Sequence, residues 1–135
     1  MRLTLVFLAI LLLTNCKKST EPEHFLTGTY TGSFIRHIEE TGDTAHVQLS
    51  FTGNKFNGTS DSSRYPMLCA GTYTLPADSI DFINACDLQP GSDLSLLLQG
   101  SYKLVQILDS LYIRRIMGDF AYEEDVYSLR KQLTY

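Results

Sequence analysis

Apolar and polar residues alternate along the chain after Phe25, in short stretches that Gly, Asn, Asp or Pro interrupt at nearly even spacing. The clearest stretch covers residues 46–52, in which Val47, Leu49 and Phe51 lie between polar residues. Successive side chains of a β-strand point to opposite faces, so this period of two indicates strands with one buried face. Strands are expected at residues 29–38, 46–52, 55–59, 68–75, 79–85, 101–108, 111–117 and 125–131, whereas residues 94–98 fit either a strand or one helical turn. The pattern predicts an all-β fold: an antiparallel eight-stranded barrel or barrel-like sheet, with little helix after the N-terminal segment.

Three of these strands open with a glycine, a hydroxyl residue and a tyrosine. The triplets are Gly28-Thr29-Tyr30, Gly71-Thr72-Tyr73 and Gly100-Ser101-Tyr102. A glycine at a strand start lets the backbone bend or bulge, as the closing of a sheet requires. We interpret the triplets as a recurring structural device of the barrel.

The first sixteen residues form a segment of a different kind. Arg2 precedes an almost unbroken apolar run from Leu3 to Leu13, which is shorter than the roughly 20 residues that cross a bilayer. A basic start, an apolar core of about 7–15 residues and a small-residue exit are typical of a secretory signal. Leu13-Thr14-Asn15-Cys16 resembles the lipobox of bacterial lipoproteins, in which the signal is cut before a cysteine that carries acyl chains such as palmitate. The alternative is an ordinary signal peptide with an accidental cysteine.

The chain is therefore divided into three parts. Residues 1–15 are expected to be a lipoprotein signal peptide, residues 16–24 a polar tether lipidated at Cys16, and residues 25–135 a single β domain. Lys17 follows the cysteine where enteric lipoproteins of the inner membrane carry aspartate, and this resemblance suggests the outer membrane. The predicted location is the cell envelope, with the membrane bound through acyl chains.

Charge and motifs exclude several classes of function. The formal net charge is −4, and Arg2 is the only charged residue of the signal, so the rest of the chain is more acidic still. An acidic chain without basic clusters argues against a nucleic-acid partner. The sequence contains neither a Gly-x-Ser-x-Gly motif nor a glycine-rich phosphate loop, so we expect no enzyme and no cofactor.

Two of the three cysteines form an even pair once Cys16 is assigned to lipid. If residues 76–79 connect two antiparallel strands, Tyr73 lies opposite Phe82, and the same register places Cys69 opposite Cys86. That spacing suits a disulfide in an oxidising compartment. Two free buried thiols are the alternative.

The histidines supply a weaker metal hypothesis. A turn at Thr41-Gly42 would place His37 opposite His46, which begins a zinc site but leaves it short of a third ligand. Solvent-facing histidines without metal are the preferred interpretation, so no metal site is assigned.

Aromatic residues are spread over nearly every predicted strand: eight tyrosines, seven phenylalanines and no tryptophan. Seven inward-facing residues are candidates to line a ligand cavity: Tyr30, Phe34, Phe51, Phe56, Tyr73, Phe82 and Tyr102. The alternative is that they fill the barrel, since eight strands leave an interior just wide enough for side chains or one small ligand.

The lipobox, the polar tether and the Gly-Thr-Tyr strand starts together resemble the small lipocalin-like (calycin-like) lipoproteins of Gram-negative bacteria, over about residues 25–131. Tyr30 stands where the lipocalin Gly-x-Trp motif has its tryptophan. The resemblance implies an envelope lipoprotein that binds a small apolar or amphipathic ligand in its barrel. The alternative is a lipoprotein with a protein partner in the envelope, such as an assembly factor or a small-barrel lysozyme inhibitor.

Overall fold

Eight β-strands form a closed antiparallel barrel in the computed structural model, which describes residues 24–38, 42–118 and 123–133. The strands are β1 (Gly28–Ile38), β2 (Thr44–Thr52), β3 (Lys55–Ser60), β4 (Ala70–Thr74), β5 (Ser79–Asn84), β6 (Gly100–Ile107), β7 (Ser110–Met117) and β8 (Glu123–Lys131). Each strand pairs with the next along the chain, and β8 returns to pair with β1. The predicted fold class is confirmed.

The predicted alternation explains which side chains fill the barrel. In β2, Val47, Leu49 and Phe51 are buried while the residues between them face outward. In β1, Tyr30 and Phe34 are buried on the same face, as predicted. One continuous apolar core results, because every strand contributes inward side chains at alternate positions.

Glycine is required at position 32, where β1 pairs closely with β8. A Cβ atom at Gly32 would overlap the backbone of Ser128 on β8, so only glycine allows the two strands to approach this closely. Of the three triplet glycines, Gly28 and Gly100 have left-handed backbone angles, with φ of 97° and 86°. Gly71 instead packs against the backbone of β5. Gly28 and Gly100 thus start strands, as expected, whereas Gly71 is the second residue of β4 and allows close packing against β5.

The barrel has two distinct ends, which we call the N-terminal end and the opposite end. The N-terminal end holds the start of β1, the β6–β7 turn at Leu108-Asp109 and the end of β8, because the Lys131 amide donates to the Asp109 carbonyl at 2.7 Å. The opposite end is covered by a short 3-10 helix, Leu94–Leu96. Within the described part of the chain, no helix is long and apolar enough to cross a membrane.

A disulfide joins Cys69 and Cys86 beyond the paired ends of β4 and β5, with their Cα atoms 5.4 Å apart. Tyr73 lies opposite Phe82, which is the predicted register. The Ala85 amide donates to the Ala70 carbonyl at 2.8 Å and carries the pairing to the edge of the disulfide.

Two details of the sequence interpretation need correction, and one open alternative is decided. His46 lies opposite Ser33 rather than His37, and His37 instead lies opposite Glu124 on β8. The tight β6–β7 turn falls at Leu108-Asp109, one residue earlier than expected at 109–110, because Ser110 already pairs with Ile107. The ambiguous segment 94–98 forms the 3-10 helix followed by extended residues. Of the signal and tether assigned to residues 1–24, all but His24 lie outside the described residues.

Candidate functional site

A cluster of charged side chains lies inside the barrel near its opposite end. Asp125 of β8 is directly opposite Arg36 of β1 on one side and Arg115 of β7 on the other. Asp125 and Arg36 are 1% and 8% exposed, so these charges are almost fully withdrawn from water. Because burial of a charge is costly without a partner, this group forms one interdependent unit.

The geometry of the cluster is that of a double ion pair. Arg36 binds Asp125 with both ends of its fork, Nε to Oδ1 at 2.7 Å and Nη2 to Oδ2 at 2.9 Å. Arg115 Nη2 donates to the same Oδ2 at 2.9 Å. The hydrogen bond to Asp125 is the main reason why the pKa of Arg36 is raised, against the effect of burial. Two cations share one anion, so the cluster carries one positive charge in excess.

A backbone carbonyl of the 3-10 helix accepts hydrogen bonds from both arginines. The Ser95 carbonyl accepts from Arg36 Nη2 at 2.6 Å and from Arg115 Nη2 at 3.0 Å. Asp93 caps the helix by accepting from the Ser95 amide and hydroxyl, and these hydrogen bonds lower the pKa of Asp93. The two arginines inside the barrel therefore hold the 3-10 helix over the opposite end by hydrogen bonds.

The barrel wall opens beside Arg115. β6 pairs with β7 from Ile107↔Ser110 to Lys103↔Arg114, although both strands extend further. Past this point the two strands leave a cleft of about 320 Å³ in the described structure. Its lining consists of Asp78, Ser79, Ser101, Tyr102, Lys103, Arg114, Arg115 and Ile116.

Two buried donors at this cleft have no hydrogen-bond partner among the described residues: the Tyr102 hydroxyl and Arg115 Nε. The guanidinium of Arg115 lies over the Tyr102 ring, with Cζ 4.7 Å from the centroid. Burial raises the pKa of the Tyr102 phenol to about 12, although the charge of Arg115 opposes this. The amide of Gln99 also lowers this pKa without reaching hydrogen-bonding geometry with the hydroxyl. Unpaired buried donors are uncommon in folded proteins, and here both belong to the lining of one cleft.

The cleft is electropositive. Lys103, Arg114 and Arg115 line it against a single carboxylate, that of Asp78. Lys103 and Asp78 are 3.9 Å apart and largely exposed, so this pair is weak. Arg114 is paired with Glu124, which lies outside the lining. The cleft is an open space lined by three cationic side chains and one carboxylate, with an unpartnered buried donor on each of two lining residues, and this chemistry suits an anion.

The seven aromatic residues predicted to line a cavity lie in the core, and each is 0–3% exposed. They pack mostly edge to face, for example Phe51 against Tyr73 at 5.1 Å and Phe82 against Tyr102 at 5.8 Å between ring centroids. Tyr102 also reaches the wall cleft, and Tyr73 reaches a second cleft of about 350 Å³ at the N-terminal end. A ligand-lining role for the set stays a prediction.

The other candidate residues are quickly placed. Cys16, the lipidation candidate, lies outside the described residues. Cys69 and Cys86 form the disulfide described above and do not belong to the lining of the wall cleft. The described residues contain no group of three or more His, Cys, Asp or Glu side chains that would hold a metal.

Sequence reasoning missed Arg36, Arg115 and Asp125, yet the strand alternation carries a signal for each. Arg36 is in phase with the buried Phe34, Arg115 with Ile113, and Asp125 with Tyr127. A charged residue in the inward phase of a strand indicates either a buried ion pair or a binding group.

Neither the protein-family models, nor the curated proteins, nor the solved structures compared with this chain contain a match to it. By its fold and its candidate site, the protein is a closed eight-stranded antiparallel barrel with a buried arginine–aspartate cluster beside a cleft in the barrel wall.

Proposed function

We propose that this protein is a lipid-anchored envelope protein whose barrel binds a small amphipathic organic anion, a carboxylate, in the wall cleft. The observation that carries the proposal is the pair of unpartnered buried donors, the Tyr102 hydroxyl and Arg115 Nε, beside that cleft. A carboxylate has two acceptor oxygens, which match two donors from different side chains.

The surroundings of the donors favour an organic anion over a simple ion. The volume of about 320 Å³ lies at the lower end of the range of about 300–1,000 Å³ for small-molecule sites. Ile116 in the lining of the cleft is 53% exposed and offers an apolar contact. An anion with a short apolar chain would satisfy the donors and cover this side chain.

The wall cleft is a better place for the ligand than the barrel interior. The inward aromatic rings are in contact with one another, so a ligand there would have to displace core packing. The cleft is already open beside Tyr102 and Arg115 and leaves the aromatic core packed.

The anchor rests on the sequence alone, through the resemblance of Leu13-Thr14-Asn15-Cys16 to a lipobox. It is tested by expression in a Gram-negative host with labelled palmitate. We expect the label in the wild-type chain and its loss in Cys16→Ala. Equal labelling of the two chains, or of neither, would refute the anchor.

Ligand binding is tested on an unlipidated chain, in which residues 1–16 are replaced by a cleavable signal peptide without a lipobox, so that the exported protein carries neither the apolar leader nor acyl chains. Sodium hexanoate and the uncharged hexanamide are titrated separately, and amide NMR shifts are followed. We expect hexanoate to shift residues 101–103 and 114–116 selectively, and hexanamide to bind at least about tenfold more weakly, because a charge-assisted hydrogen bond contributes about 1.5–3 kcal/mol.

Two matched substitutions identify the donor. Tyr102→Phe removes a cleft hydroxyl, whereas Tyr73→Phe removes a hydroxyl at the N-terminal end that is already bonded to Leu26 and Gly53. Only Tyr102→Phe is expected to weaken hexanoate binding. Binding of hexanamide as tight as that of hexanoate, or an equal effect of the two substitutions, would refute the site.

A further inference from the structure

The N-terminal end of the barrel carries exposed apolar side chains that the fold does not need. Leu108 at the β6–β7 turn is 90% exposed, Ile107 before it 58%, and Leu133 after β8 67%. We call these three residues the apolar rim. Val105 and Tyr112, which are opposite each other and both exposed, continue it along the outer wall of the same hairpin.

Leu108 is an unusual residue for its backbone position. Its φ is 52°, in the left-handed region that Gly, Asn and Asp adopt most easily. A leucine there gains no core contact, since its side chain is nearly all in solvent. Turn formation therefore does not explain this residue, whereas contact with an apolar medium does.

The apolar rim lies on the same side of the molecule as the start of the described chain. The Gln132 amide donates to the Thr29 carbonyl at 2.7 Å, and Lys131 is bonded to Asp109 in the β6–β7 turn. The pKa of Tyr30, raised mainly by burial, is also raised by the charge of Asp109. Before β1 the described chain lies against β4 at this same end, where the Leu26 amide donates to the Tyr73 hydroxyl and Phe25 packs against the Tyr73 ring. The chain that leads back to Cys16 therefore starts from the end of the barrel that carries Leu108 and Leu133.

We infer that the apolar rim rests on the lipid surface that holds the acyl chains, an inference that depends on the lipid anchor proposed above. Residues 16–24 span at most about 30 Å when fully extended, at roughly 3.3–3.6 Å per residue. This short tether keeps the N-terminal end close to the bilayer at a high effective concentration. A rim too small to bind membranes by itself then binds as an intramolecular contact, and the opposite end points away from the membrane.

The test uses the absence of tryptophan from the chain. Leu108→Trp creates a single tryptophan in the apolar rim, and Leu94→Trp creates one at the opposite end, where Leu94 is 60% exposed. The full acylated chains are reconstituted into phosphatidylcholine vesicles with and without brominated acyl chains. We expect bromine to quench the tryptophan at position 108 at least about threefold more than the one at 94.

A third variant, Leu133→Trp, repeats the measurement at another rim position in case Leu108→Trp fails to fold. The mass of the N-terminal peptide is measured in the same samples. An unmodified Cys16 would refute the anchor, and this inference with it. An acylated, vesicle-bound protein whose tryptophans at 108 and 133 are quenched no more than that at 94 would overturn the inference and leave the anchor standing.

Discussion

The substitution Tyr102→Phe is expected to stabilise the barrel, although it deletes a buried polar group. The hydroxyl of Tyr102 is buried with no partner at hydrogen-bonding geometry in the described structure, and such a group costs about 1–3 kcal/mol. Its ring packs against Phe82 and Tyr127, and phenylalanine retains these contacts. We therefore expect the free energy of unfolding to rise by about 1 kcal/mol.

Tyr73→Phe makes the same chemical change with the opposite expected sign. The Tyr73 hydroxyl accepts from the Leu26 amide at 2.9 Å and donates to the Gly53 carbonyl at 2.8 Å. Its loss leaves a buried amide unpaired and should destabilise the protein by about 1–3 kcal/mol.

Urea unfolding of the unlipidated chain used for the ligand titration, with and without each substitution, measures both changes. A thermal scan should show Tyr102→Phe melting roughly 4 °C higher, by the usual relation between stability and melting temperature for small domains. If Tyr102→Phe destabilises the barrel as much as Tyr73→Phe, the hydroxyl has a partner in solution and the open-donor reasoning fails.

Four further outcomes are expected. Stability should fall between pH 10 and about 12, and Tyr102 alone should contribute about 3 kcal/mol of the loss, because its raised pKa keeps the folded hydroxyl protonated while the unfolded state ionises. In unfolding measured against pH, Tyr102→Phe should remove this part of the fall and leave the part due to the other buried tyrosines, whose pKa values are also raised. Asp125→Asn should cost about 3–5 kcal/mol in urea unfolding, since it leaves both arginines without their anion. Gly32→Ala should cost at least about 2 kcal/mol, read from the melting temperature, because it forces β1 away from β8. Reduction of Cys69–Cys86, which are 17 residues apart, should lower the urea midpoint by the equivalent of about 3 kcal/mol, and an unchanged midpoint would contradict a structural role for the bond.

Local turn chemistry was enough to predict the β4–β5 pairing. Pro76 and Asp78 mark a short connection, and a short connection sets the register of the two strands it joins. The same rule failed for β1 and β2, whose connection is longer. The Tyr65 hydroxyl donates to the Asp43 carbonyl at 2.8 Å, and Asp61 accepts from the His46 amide at 2.8 Å. These contacts come from a distant loop, so a local turn rule cannot contain them.

The candidate site was predictable only in part. The inward phase of Arg36, Arg115 and Asp125 is visible in the strand alternation. Their meeting depends on the registers of β8 with β1 and β7, and Arg36 and Asp125 are separated by 89 residues. The cleft depends on where β6 parts from β7, and no residue type marks that point in the sequence.

The pairing of the first strand with the last has a consequence for how the chain becomes a folded protein. β1 and β8 are in register from Tyr30↔Lys131 to Ile38↔Glu123, so the ring cannot shut until the final strand has been synthesised. Until then β1 and β7 present open edges, which are templates for aggregation. A stop codon shortly before β8 would therefore remove few residues but leave two unpaired strand edges, on β1 and β7. We expect such a product to be degraded or insoluble. Passage across a membrane as an extended chain, with ring closure only on the far side, would avoid that hazard.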